Sequence, residues 1–403
     1  MPDGTIHAEG MAAEETRVST AAQSGAVVLA GHLLAAAKVA RAATMRKGTI
    51  PVLTHLRVEA DGGSVRIQGT DMERHAATAA PAQGSLPPTT VSASVLVDLL
   101  SRLPAEAEVQ LEQRGADKEL GRLVLRAPRL TVRALAYPPE DFPAAQDWKV
   151  RSTFSIPVPS LRRLFTLPAH AISTEETRFY LNGLYLHIAT APEVRLCTVA
   201  TDGHRLALAE EPLPSGAEEM PSIIVPRHTV AMIRGLLTQR ATGHVRVEVS
   251  DQAIRFSTPA WTVTSKAIDG TFPDWQRVVP HIDQARHRLK VPDPRGFIRL
   301  LEAAGCIATE RSRPVRFERR RKDATVWVTM RSPDEGEAEL QIPHDVASWD
   351  GDGVETEVGF QLRYLRDLAQ AVPGGLTFHI QDGSAPMRAE FPAGLGVLMP
   401  MRV

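Results

Sequence analysis

Cysteine is almost absent from this 403-residue sequence: only Cys197 and Cys306 occur, far apart and each inside an apolar stretch. Two such thiols offer no disulfide framework and no thiolate metal centre, and they fit a reducing cytoplasm. Long hydrophobic runs are missing as well. No stretch approaches the ~18 uninterrupted apolar residues that a membrane span needs, and 43% apolar with 23% charged residues is ordinary for a soluble globular chain. There is no excess of either charge, since the formal net charge is −1, which speaks against a uniformly basic nucleic-acid binder. Catalytic signatures are lacking too. The chain contains no G-x-S-x-G, H-E-x-x-H, C-x-x-C or G-x-x-x-x-G-K-[ST], so no hydrolase nucleophile, zinc pair or phosphate loop is expected, and neither a metal nor a cofactor. The opening MPDGTIHAEGMAAEETRVSTAAQSG has neither the apolar core of a secretion signal nor an Arg-rich transit character. Residues 1–25 are expected to form a disordered tail.

What is present is a repeat. Phe142-Pro143 precedes Trp148, Phe272-Pro273 precedes Trp275, and Phe391-Pro392 comes near the end, at intervals of 130 and 119 residues. A second marker agrees: GTDMERHA sets Asp71 after an alternating strand at Ser64 to Gln68, and VATDGHRLA sets Asp202 in the same context 131 residues later. The third copy falls near Arg331-Ser332-Pro333-Asp334, after VWVTM. At ~100 to 200 residues per domain the length allows two to four domains, and the markers choose three: 26–149, 150–281 and 282–403.

Each unit repeats one order of signals. A first helix is expected at His32 to Ala43, Pro159 to Ala171 and Asp293 to Ala304, a second at Ser92 to Leu103, Pro226 to Gln239 and Gln361 to Val372. Alternating strands such as LTHLRVEA, YLNGLYLHIA and ATVWVTM lie between and after them. The fold class is α+β, with two helices plus antiparallel sheets in each unit. The helices are basic. They carry Lys38, Arg41, Arg102, Arg162, Arg163, Arg227, Arg234, Arg295, Arg299, Arg363 and Arg366 against only Asp98, Asp293, Glu302 and Asp367, so they sum to +7 and the remainder of the chain to −8. Amphipathic helices commonly carry charge on their outer faces. Four of the six are net positive and none is net negative, which points further, to a shared basic surface.

The stretch VATDGHRLALAE (Val199 to Glu210) crowds an acid, a base and a cation together. Asp-Gly between two alternating runs is a hairpin signal, because tight turns need backbone torsions that these residues tolerate. Asp202 and Gly203 are therefore read as turn chemistry, with His204 and Arg205 entering a strand on opposite faces. An enzyme built on Asp202 and His204 would need further partners that the motif scan does not supply.

ATDGHRLA, with YLNGLYLHI upstream, TFPDWQRVVP and the terminal VLMPMRV, resembles the bacterial DNA polymerase III beta subunit (sliding clamp) family. The similarity runs from about Val27 to the end and includes GTIPVLTHLRVEA and GTDMER. It implies three similar clamp domains per chain and a head-to-tail homodimer closed into a ring around double-stranded DNA, helices inside. It also implies a processivity factor rather than an enzyme, working in the cytoplasm. A basic lining holds phosphates without reading bases. The resemblance also implies a pocket between the second and third units for short peptides of the polymerase III alpha subunit, the clamp loader and other clamp-binding proteins. By motif it would use Leu181, Thr201, Gly203, His204, Arg205 and Leu206; Pro273, Arg277 and Val278; and Val397, Leu398, Met399, Pro400, Met401 and Arg402. Arg46 and Lys47, after the first helix, join the helical cations as DNA-contact candidates. Cys306 and Ile307 would meet Leu123, Val124 and Leu125 of the partner at the dimer contact. Trp275-Gln276, where the family usually has an aromatic-basic pair, and the basic tip ERRRKD (Glu318 to Asp323) depart from the pattern. A specialised paralogue or a monomeric adaptor stays open as an alternative.

Overall fold

The computed structural model describes residues 25–115, 121–190, 193–307, 314–319, 325–351 and 356–402. The N-terminal tail and most of the 318–323 tip lie outside the described residues. Six α-helices occur among them: α1 (Ala30–Arg41), α2 (Ala93–Leu100), α3 (Val158–Thr166), α4 (Arg227–Leu236), α5 (Pro294–Ala304) and α6 (Leu362–Ala371). They pack pairwise, α1 on α2, α3 on α4 and α5 on α6.

The helix boundaries follow from local chemistry. Helix α5 begins where Asp293 accepts a hydrogen bond from the Arg295 amide with Pro294 at the first turn, a favourable start for a helix. Its Phe297, Ile298 and Leu301 are buried at helical spacing while Arg295 and Arg299 stay exposed. Helix α3 is shorter than expected because Pro168 has no amide to donate, and a 3-10 turn, Pro168–Ala171, takes over. Helix α2 ends early, where the Ser101 hydroxyl and the Arg102 guanidinium both donate to the Asp98 carbonyl.

The strands form three antiparallel sheets. The first runs from an edge at Leu130–Ala136 through Gly121–Ala127, Glu108–Arg114, Gly25–Leu29 and Arg74–Ser92, then continues through Trp261–Lys266, Ala253–Ser257 and His244–Val249 to Ser152–Pro157. The second joins Ile223–Pro226, Gly183–Ala189, Arg195–Thr201 and Arg205–Pro212 to Gly394–Leu398, Met387–Phe391, Leu376–Ile380, His287–Val291 and Ser348–Gly351. The third holds Gly336–Ile342, Val326–Ser332, Pro314–Arg319 and Thr356–Gln361.

Two sheets thus cross from one unit to the next in the same manner. The strand after the marker turn of the first unit pairs with a late strand of the second, Thr78 opposite Trp261 and Arg74 opposite Ser265. The strand after the marker turn of the second pairs with the last strand of the third, Arg205 opposite Leu398 and Ala209 opposite Gly394. The corresponding third pair is left open: 336–342 and 130–136, each seven residues, are both edge strands. Large apolar side chains such as Phe165, Phe256, Phe297 and Phe317 are fully buried between helices and sheets, each contributing about 1.5–3 kcal/mol.

The marker turns are built alike in the first two units. Thr70 and Thr201 each donate a hydroxyl to the Arg carbonyl four residues on, at 2.7 Å in both, and accept from the amide two residues on. Asp71 and Asp202 each accept from the two following amides, Glu73 and Arg74 or His204 and Arg205. The positive φ falls at Met72 (74°) and Gly203 (90°), so Asp202 shapes the turn through its carboxylate and Gly203 through its backbone. The third turn, between Ser332 and Gly336, which pair directly, has neither this Asp nor this Arg.

Candidate functional site

The turn at 201–205 sits where the second unit meets the third. Its strand alternates faces, and the alternation decides which predicted site residues come together. Leu206 and Leu208 lie on the outer face with Val397, Val199, Cys197, Leu181 and Phe272 in one apolar cluster. Trp275, Val279, Tyr180 and Tyr185 pack on it. The Phe-Pro-x-Trp segment is held there by a ladder of rings: Phe272 stacks on Tyr185 at 4.8 Å, Tyr185 on His187 at 4.6 Å, and Trp275 meets His187 edge-on at 5.8 Å. Burial pushes His187 down to about 4, keeping it neutral within the stack.

Around this floor stand the exposed candidates. Met399 is 42% and Val278 51% exposed, and Pro273, Arg277 and Arg402 are exposed beside the half-buried Thr201, Pro400 and Met401. The tail is fixed at both ends of its turn, the Met399 amide donating to the His204 carbonyl at 2.9 Å and the Met401 amide to the Gly359 carbonyl at 2.7 Å. A side chain at Gly203 would strike the Arg178 guanidinium, whose Nη1 lies 2.8 Å from the position of a Cβ. The arrangement is an apolar floor with a methionine, a valine and a histidine at its rim, suited to apolar anchors of a short peptide.

Two expected pocket residues point the other way. Arg205 and Leu398 face each other across the strand pair on the inner side and are 6% and 1% exposed. Leu398 belongs to the core shared by the second and third units. Arg205 is a staple between them: its Nε donates to Asp202 at 2.9 Å, its Nη1 to Asp367 of α6 at 2.8 Å, and its guanidinium carbon lies 4.5 Å from the Tyr364 ring centroid. Arg74 repeats the design at the previous joint, with Asp71 and the His228 carbonyl of α4. Beneath Arg205 the ring nitrogens of His170 are buried without a hydrogen-bond partner, and burial, then the Arg205 cation, pushes this imidazole down to about 4. Tyr364, which also stacks on His204 at 6.4 Å, escaped the sequence reading because it arrives from the third unit.

The helical cations divide into engaged and unengaged. Arg163 is paired with the buried Glu211 and with Ser160, Arg162 donates to the Thr238 carbonyl, Arg102 to the Asp98 carbonyl, and Arg41, Arg299, Arg363 and Arg366 lie within 4 Å of carboxylates. Lys38, Arg46, Lys47, Arg227, Arg234 and Arg295 have no ion-pair partner among the described residues. They are the cations most available to phosphates. Burial lowers the pKa of Arg234 from its ordinary value.

The expected dimer contact needs correction. Leu123, Val124 and Leu125 are each 1% exposed, because their strand lies between 108–114 and 130–136 inside the sheet. The free edge is 130–136, with Leu130 at 41% and Leu135 at 56% exposure. Cys306 is exposed, and its 3-10 turn packs beside the 336–342 edge. Among the described residues no cluster could hold a metal, and no helix is long and apolar enough to cross a membrane.

Comparison with known proteins adds the family. Models of the DNA polymerase III beta subunit match here, the N-terminal domain at residues 27–146 and the central domain at 155–274. The beta sliding clamp of Caulobacter vibrioides is 36% identical over 364 residues, spanning 89% of this chain and 94% of that protein. The Escherichia coli K12 beta sliding clamp is 30% identical over 370 residues, spanning 88% and 93%. Among solved structures, the Caulobacter crescentus beta sliding clamp with bound polyethylene glycol aligns with a TM-score of 0.86 at 35% identity, covering 94% and 99%. A Bartonella birtlesii sliding clamp bound to griselimycin aligns with 0.85 at 30% identity, covering 94% and 100%.

Proposed function

The chain belongs to the DNA polymerase III beta subunit family, the beta sliding clamps, and from that membership we propose how its own residues perform a clamp's work. It is a DNA sliding clamp, a non-catalytic processivity subunit of a polymerase holoenzyme. Its three repeated units, read as 26–149, 150–281 and 282–403, form one arc, and two arcs close head to tail. The observation that carries this reading is the pair of edges left open after two like joints are filled. The 336–342 strand of one protomer has the position of 74–92 and 205–212, and 130–136 of its partner has the position of 261–266 and 394–398. Head-to-tail contacts of this kind close when the rotation completes a circle.

The unengaged cations Lys38, Arg46, Lys47, Arg227, Arg234 and Arg295 then face the duplex and hold its backbone without reading sequence. Leu181, Leu206 and Val397 form the pocket floor and Met399, Val278, Pro273 and His204 its rim, where the polymerase alpha subunit, the clamp loader and other clamp-binding proteins insert a peptide. The work takes place in the bacterial cytoplasm.

The test separates topology from adhesion. A binder making 6 to 10 phosphate contacts loses ~10³ to 10⁵-fold in affinity between 50 and 200 mM salt on any DNA. The protein loaded by a clamp loader onto a nicked circle is expected to survive a high-salt wash in gel filtration and to leave once the circle is cut. Equal retention on circular and linear DNA, or equal loss from both, refutes encirclement. A monomer mass in solution with intact peptide binding would identify an adaptor instead.

A further inference from the structure

The outer face that floors the peptide pocket does not stop at the pocket. Along the 205–212 strand Leu206, Leu208 and Glu210 share this face, opposite Thr201, Val199 and Cys197 on one side, with Val397 and Leu395 opposite Leu206 and Leu208 on the other. Beyond Trp275 the same stripe opens into a groove of 620 Å³ whose lining includes Leu208, Leu395, Cys197, Trp275, Glu210 and Arg388. Leu206 lies at the pocket end and Glu210 at the groove end. At ~3.4 Å per residue they are about 14 Å apart, the reach of four extended residues.

The groove lining carries Glu210, Glu390 and Arg388. Arg388 is already engaged, donating to Glu390 at 2.8 Å and to the Pro280 carbonyl at 3.2 Å, while His379 also holds Glu390 at 3.1 Å. Glu210 is exposed and has no cationic partner among the described residues. Burial first, then the nearby Glu210 carboxylate, pushes the Cys197 thiol up to about 12, so the floor adds no further charge, and of the two lining carboxylates Glu210 is the one without a cation among the described residues. An indole beside a carboxylate suits a guanidinium or ammonium carried on an alkyl stem.

We infer that the peptide site continues past Trp275 into this second compartment, where Glu210 receives a basic side chain of the same bound segment, about four residues from its apolar anchor. The inference rests on the pocket reading above. It assigns a preference to clients: segments with Lys or Arg at that offset bind more tightly than those that end at the anchor.

The probes are synthetic decapeptides carrying a Leu-Phe anchor pair with Arg, Ala or Glu four residues after it, and a mirrored series with the variable residue four before it. Binding is measured by fluorescence anisotropy to the full chain, to Glu210→Gln, to Glu210→Lys, and to a chain lacking Met399 to Val403. In one series Arg is expected to bind about three- to tenfold tighter than Glu, with the difference vanishing in Glu210→Gln and inverting in Glu210→Lys, while the Ala peptide binds all three alike. Equal binding of Arg, Ala and Glu in both series, still lost on deleting the tail, would overturn the extension and leave the pocket standing. Absence of binding, or binding indifferent to the tail deletion, would remove the pocket reading and the extension with it.

Discussion

Arg205 offers the sharpest quantitative expectation. Its side chain is 5% exposed and meets Asp202 and Asp367, themselves 18% and 20% exposed, and it lies over the Tyr364 ring. Arg205→Ala therefore leaves two largely buried carboxylates short of a cation and removes a ring contact. Breaking a buried pair costs about 3 to 5 kcal/mol. The lower end applies here, because Arg366 and Arg363 remain 3.4 and 3.8 Å from Asp367. Arg74→Ala disturbs one carboxylate and a carbonyl at 3.4 Å and is expected to cost about half as much. Arg205→Lys keeps the charge but not the fork that reaches two acids at once, so it should recover only a minor part. The assay is urea unfolding at fixed protomer concentration, with a cycle pairing Arg205→Ala with Asp367→Asn. A coupling below ~0.5 kcal/mol, or an Arg74→Ala cost equal to that of Arg205→Ala, would refute the staple.

Three further outcomes are expected. Deleting Met399 to Val403 removes rim contacts of an apolar anchor, and peptide affinity should fall at least about tenfold while dimer mass is unchanged; isothermal titration and sedimentation report the two. Leu130→Lys places a charge on the open 130–136 edge and should raise the dimer dissociation constant by about tenfold or more, read by analytical ultracentrifugation. His170 stays neutral in the fold down to about pH 4 but takes up a proton near its ordinary 6.5 when unfolded. Its contribution is therefore fully present above pH 6.5 and is lost as pH falls towards 4, by up to ~3 kcal/mol. His170→Gln should flatten the stability profile in that window, and an unchanged slope would show that the proton is taken up elsewhere.

The repeat and its helices were legible because Phe-Pro, Thr-Asp and the apolar periodicities are local signals that recur. The pocket was legible as a set of segments but not as a set of directions. Arg205 and Leu398 enter the set by motif, although strand alternation counted from Leu206 places both inside. Leu123 to Leu125 are expected at the dimer contact, and only the neighbouring strand at 130–136 shows that they lie inside the sheet as core. Arg163 looked free on its helix because its partner, Glu211, comes from a strand 48 residues later. Tyr364 and Asp367 gave no local sign of their role, which exists only where α6 meets the 201–205 turn.

The third marker turn, with neither the aspartate nor the arginine of the other two, bears on reversibility. Parting the seam at Arg205 strands buried carboxylates, and every opening would carry that desolvation cost. The turn at Ser332 to Gly336 contributes no such staple of its own, so a seam between 130–136 and 336–342 would part without stranding a carboxylate of that turn. On the ring proposed above, the four joints held by Arg74 and Arg205 would resist parting, and the two seams formed by 130–136 and 336–342 would be the places for duplex to enter without any unit having to unfold.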